Sequence, residues 1–111
     1  TPLAGAENGS LDLTLRVVAL TRIVTEKTHM PATTAIGSID PLGRQKALQC
    51  GANVMMPNVT PEKYRRYYEI YPHKICIEDK PGDCRYCVEG MLAGLRRYVA
   101  AGAGHSLKGR R

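Results

Sequence analysis

Tryptophan and phenylalanine are both absent, and six tyrosines make up the whole aromatic complement of this 111-residue chain. With no strand of alternating aromatic and basic residues, a ribonucleoprotein-type RNA-binding sheet is excluded. No run of about 18 apolar residues occurs, which removes a helical membrane span. The opening, TPLAGAENGS, has neither an initiator methionine nor a basic region followed by an apolar core. It therefore shows no secretory signal and reads as the interior of a longer chain. A complete eight-unit barrel of about 250 residues does not fit this length; one ordinary domain does.

Acidic residues are missing from Gly90 onward, where five basic ones stand (Arg96, Arg97, Lys108, Arg110 and Arg111). The formal charge of +6 is thus mostly a C-terminal tail; the first 89 residues are nearly balanced. A basic tail of this kind is ordinarily a solvated, frayed end, so neither nucleic acid nor membrane is expected as a partner.

What is present has a repeating order. Ser10 caps a helix that ends near Glu26, with Leu13, Val17, Leu20 and Val24 as its apolar stripe. Ala32 to Ile36 fits a strand. Asp40-Pro41 then opens a helix that reaches Cys50 and stops at Gly51. Asn53 to Met56 reads as a second strand, and Thr60-Pro61 opens a helix bearing Tyr64, Tyr67 and Tyr68. Strand, loop and capped helix, twice over, predict an α/β fold with a parallel sheet. Two such strands leave an edge that wants neighbours, so the chain is expected to be incomplete as an isolated domain. Lys74 to Ile77 suggests a further short strand. Asp83 is expected to cap a last helix along Val88, Met91, Leu92, Leu95 and Val99, ended by Gly102 and Gly104.

The densest chemistry is Cys76-x7-Cys84-x2-Cys87. Clustered cysteines suit a metal or iron-sulfur site better than an extracellular disulfide framework. Two thiols three apart at a helix start can converge on one metal, and the first-turn N–H groups favour thiolates. Three thiolates leave a fourth position open, for zinc as for a cluster, unless His73 folds back to fill it. Iron-sulfur, zinc, and thiols without metal all remain open on these residues. Cys50, at a helix end, reads as a packed thiol. Thr33 and Thr34 stand near one strand end and Asn58 follows the next, where barrel enzymes place functional groups. They could equally be strand and turn residues. Tyr64, Tyr68 and Tyr71 share one helical face. Arg16 and Arg22 read as solvated helix residues, and His29 has no ligand partner at suitable spacing.

Three stretches carry a resemblance: Pro31-Ala32-Thr33-Thr34-Ala35, Gly51-Ala52-Asn53-Val54-Met55-Met56-Pro57-Asn58, and the cysteine trio that follows Tyr71-Pro72. Together they resemble the C-terminal third of the iron-only hydrogenase maturases of the radical S-adenosylmethionine superfamily, over essentially the whole chain. His73 departs from the family's usual glycine. Biotin synthase and methylornithine synthase share the Gly-Ala-Asn strand, and a related enzyme of that kind is the nearest alternative. A small stand-alone metal-binding or electron-transfer module is the other.

The resemblance implies the last βα units of a (βα)8 barrel over residues 1–73, an accessory iron-sulfur extension and terminal helix over 74–101, and a basic tail over 102–111. It implies a cytoplasmic parent enzyme in which a 4Fe-4S cluster on a CxxxCxxC loop cleaves S-adenosylmethionine to a 5′-deoxyadenosyl radical. The radical then acts on a small iron carbonyl cyanide precursor, alongside other hydrogenase maturation proteins. No CxxxCxxC spacing exists among Cys50, Cys76, Cys84 and Cys87, so the chain alone is expected to be inactive. By the same resemblance Thr33, Thr34, Asn58 and Tyr68 line the substrate cavity and Tyr71 lies near the radical path. Cys76, Cys84 and Cys87 hold an accessory 2Fe-2S or 4Fe-4S cluster.

Overall fold

In a computed structural model, residues 2, 4–7, 9–68 and 81–106 are described, with side chains from 85 onward in the last stretch. The elements are α1 (Leu11–Thr25), β1 (Pro31–Ala32), α2 (Thr34–Ile39), α3 (Gly43–Gln49), β2 (Val54–Met55), α4 (Glu62–Arg65) and α5 (Pro81–Gly94). A turn of 3-10 helix, Arg66–Tyr68, extends α4. The two strands pair in parallel, Pro31 opposite Val54 and Ala32 opposite Met55. A parallel α/β arrangement is therefore observed, as two short strands with helices between them.

The core gathers around this pair. Ala32, Ile36, Ala47, Leu48, Ala52, Val88 and Leu92 are buried together, with Leu11, Leu15, Val18, Met55 and Leu95 packed against them. Helix α3 supplies Ala47 and Leu48, one residue apart on the face it turns toward the sheet. The same face carries Arg44, a buried side chain whose Nε has no hydrogen-bond partner among the described residues.

Helix α1 starts as its sequence predicts. Ser10 Oγ accepts from the N–H of Leu13 at 3.2 Å, and Asp12 in the first turn pairs with Arg16 across an exposed i,i+4 spacing. Its expected stripe faces outward, however. Leu13, Val17, Leu20 and Val24 are between 53% and 80% exposed, whereas Leu11, Leu15 and Val18 touch the core. At about 100° per residue these two sets lie nearly half a turn apart. Helix α1 is apolar on both sides, and periodicity alone picked the longer stripe.

The first strand is also shorter than its sequence suggests. Thr33 keeps an extended backbone but acts as an N-cap: its Oγ1 accepts from the N–H of Ile36, so α2 begins at Thr34. Side-chain capping overrides the strand preference of two consecutive threonines. Asp40 acts one turn earlier than expected. Its Oδ1 accepts from the N–H of Leu42 at 2.7 Å and its backbone oxygen from the N–H of Gly43, so α3 starts at Gly43 rather than behind Pro41. Lys46 Nζ lies 2.6 Å from Asp40 Oδ2. That hydrogen bond, and the one from Leu42, hold the Asp40 carboxyl below its usual 3.8. Gly51 stops α3 as expected, at φ +119°, a conformation that favours glycine.

Helix α5 begins at Pro81, which puts Asp83 inside it, and its end is set neither by Gly102 nor by Gly104. Arg96 takes φ +55°; its N–H reaches the oxygen of Ala93 at 2.9 Å, and that of Arg97 reaches Leu92 at 2.9 Å. This double closure is a Schellman motif with arginine where glycine usually stands. Val99 accordingly lies beyond the helix and is exposed. The Lys74–Ile77 segment lies outside the described residues. Among those described, no helix is long and apolar enough to cross a membrane.

Candidate functional site

Because β1 and β2 run parallel and end in register, the residues that follow them leave the sheet at the same end. These are Thr33 and Thr34 on one side and Met56, Pro57 and Asn58 on the other. Thr33 and Thr34 are both half-buried. The Thr33 hydroxyl is committed to the α2 cap, and the Thr34 carbonyl accepts from Ser38 Oγ at 3.1 Å.

Asn58 is half-buried and shapes its own loop: its Oδ1 accepts from the N–H of Thr60 at 3.1 Å, closing an Asx turn between Pro57 and Pro61. Beneath this turn lies Arg65, which the sequence reading did not single out. Its side chain is only 2% exposed. Its Nε donates to the oxygen of Thr60 at 2.6 Å and its Nη2 to the oxygen of Asn58 at 3.0 Å. One guanidinium thereby engages two carbonyls of a three-residue turn, a fit to its rigid fork of donors. An arginine amid tyrosines in a short helix reads as solvated, and no local signal marks it as buried.

The tyrosine face is not core. Tyr64 and Tyr68 are exposed, Tyr68 by 58%, and Tyr71 lies outside the described residues. Cys76 and His73 also lie outside them. Cys84 and Cys87 occupy α5 three positions apart, on neighbouring turns of one helix, and Cys87 is exposed as a free thiol. Cys50 is half-buried and free. Among the described residues, no three His, Cys, Asp or Glu side chains gather as a metal site.

One further reading changes. Arg22 is half-buried: its Nε donates to the oxygen of Gly51 at 2.9 Å, tying the end of α1 to the stop of α3. His29 meets no metal-ligating side chain among the described residues; its ring is hydrogen-bonded instead, Nδ1 to Asn53 Nδ2 at 3.2 Å and Nε2 to the backbone oxygen of His105 at 2.9 Å. A cavity of about 540 Å³ is lined by Asn53, Met55 and Pro57 and by the α5 residues Val88 and Leu92, among others.

No protein-family profile matches the chain. A curated relative does: the chain is 52% identical over 97 residues to the FeFe hydrogenase maturase subunit HydE of Thermotoga maritima. The match takes in 87% of this chain and spans 28% of the relative's length. The resemblance read from the three sequence stretches is thus borne out.

Proposed function

We propose that the chain is the C-terminal portion of a radical S-adenosylmethionine enzyme that matures the iron-only hydrogenase. The observation that carries this reading is the 52% identity to a hydrogenase maturase across nearly the whole chain. The parallel strand pair supports it, as does the core it shares with α2, α3 and α5, since two successive βα units of a barrel have that order. In this reading residues 1–73 belong to the barrel, 74–101 to the cysteine-bearing extension and 102–111 to a tail. The remaining polypeptide supplies the cluster loop and binds S-adenosylmethionine. Radical generation, the iron carbonyl cyanide precursor and the other maturation proteins are properties of that whole enzyme.

This segment contributes a wall of the substrate cavity. Thr33, Thr34 and Asn58, leaving the sheet at one end, offer hydroxyl, backbone and amide groups to a small polar or anionic ligand, with Tyr68 and Tyr71 at the edge. Thr33 is the weaker candidate, because its hydroxyl already caps α2. The accessory site uses Cys76, Cys84 and Cys87. The donor chemistry fits: soft thiolates suit iron-sulfur clusters, and the two cysteines on α5 stand one turn apart, with Cys87 exposed. A cluster held there would be solvent-proximal and separate from the radical-generating one.

The test uses the full-length enzyme carrying this segment. Thr34→Val should lower product formed per 5′-deoxyadenosine released by about ten- to a hundredfold, the loss of one hydrogen bond to a charged ligand. Cofactor cleavage should persist. An unchanged ratio in Thr34→Val and Tyr71→Phe alike would refute the cavity wall. Cys87→Ala should remove the iron and visible absorbance of the accessory site while sparing cofactor cleavage.

A further inference from the structure

Arg65 is the most deeply buried charged side chain among the described residues, and nothing in the cavity reading uses it. Two of its hydrogen bonds go to backbone carbonyls rather than to side chains. They run to backbone oxygens of Asn58 and Thr60, the first and last residues of the turn that follows β2. Within that turn, Asn58 Oδ1 takes the N–H of Thr60. The guanidinium and the Asn58 side chain therefore hold the same three residues. The turn is flanked by Pro57 and Pro61, whose fixed φ leaves little other freedom. A charged donor on both carbonyls fixes the backbone path from Asn58 to Thr60, and with it the Thr60 N–H on which the Asn58 side chain closes.

We propose that Arg65 is a positioning residue: its guanidinium sets how Asn58 is presented at the strand ends, and so tunes substrate binding without touching substrate. This rests on the cavity reading of Asn58. The alternative within the fold, a loop held by its own Asx turn and prolines, would leave Arg65 a stabiliser only.

The experiment uses the full-length maturase carrying this segment, with a synthetic iron carbonyl cyanide complex as substrate. Arg65→Ala should raise KM about tenfold with a smaller change in kcat, and 5′-deoxyadenosine formation should be unaffected. Millimolar guanidinium should restore KM. Hydrogen exchange at the Thr60 amide should quicken while that of core amides such as Leu48 stays slow. Arg65→Lys, which keeps a cation but cannot serve both carbonyls, should fall between, and it carries the test if Arg65→Ala does not fold. Asn58→Ala should raise KM similarly, and combining it with Arg65→Ala should add little. If Asn58→Ala raises KM and the Arg65 variants do not, the positioning role is overturned and the cavity reading stands. If the Arg65 variants free the Thr60 amide but neither they nor Asn58→Ala moves KM, the cavity reading itself fails and takes the positioning role with it.

Discussion

After β1 the chain turns into a helix within one residue, Thr33; after β2 it travels through residues 56–61 before α4 begins. The first exit is fixed locally. A hydroxyl caps its own helix, and the next turn closes through Asp40 onto α3. The second exit is fixed from seven residues away, by an arginine reaching back to Asn58 from the next helix. The difference teaches where tolerance lies. A locally fixed exit rests on small, separable interactions, whereas the remotely fixed one adds to its own Asx turn a buried cation that serves two carbonyls at once.

The strongest way to break the first exit is steric. A Cβ at Gly43 would stand 2.2 Å from the oxygen of Ile36 and 2.9 Å from its carbonyl carbon, both backbone atoms. Gly43→Ala should cost about 3 kcal/mol, read as a lowered urea midpoint, because α3 must move away from α2. An unchanged midpoint would mean that the two helices are not held at this approach. A milder probe is the cap. Thr33→Val should cost about 1 kcal/mol, with Thr33→Ser recovering most of it. Equal midpoints for the two variants would show that the cap contributes nothing and that the exit is set elsewhere. The smallest effect sharpens the comparison through pH. Because the folded Asp40 carboxyl sits below its usual 3.8, its contribution is fully present above that value and lost as pH falls through the lower folded one. Asp40→Asn should flatten the acid limb of the stability profile slightly, since the carboxyl is only half-buried and water screens it; an identical acid limb would remove Asp40 from the account.

Much of this architecture was legible beforehand, for reasons that differ by element. Ser10 and Gly51 act through their own backbone neighbourhoods, so sequence alone located the start of α1 and the end of α3. The parallel pairing followed from order, strand and capped helix repeated. The misread places are those where a side chain works at a distance or against its type. Thr33 looks like a strand residue until its hydroxyl finds the Ile36 amide. Arg96 takes a backbone conformation usually reserved for glycine. Arg65 looks like surface until the turn beneath which it lies is known. The outward stripe of α1 was chosen by the right rule, since both of its faces are apolar and nothing in a period says which one is covered. Thr33 and Thr34 read as strand residues and prove to be the cap and first residue of α2, while the parts played by Arg65 and Asn53 needed three dimensions.

The His29 contact carries a direction that no hydrogen atom has to be seen to establish. The Met30 N–H can only donate, and at 2.8 Å it meets Asn53 Oδ1, which fixes that amide with its NH2 toward His29. The ring nitrogen facing it must then be the acceptor, so the proton sits on the other nitrogen and points at the carbonyl of His105. Three groups, separated by as much as 76 positions in the chain, thus line up behind one backbone amide. The arrangement is a one-way relay: it joins the C-terminal segment to the beginnings of both strands, and it cannot be assembled in reverse.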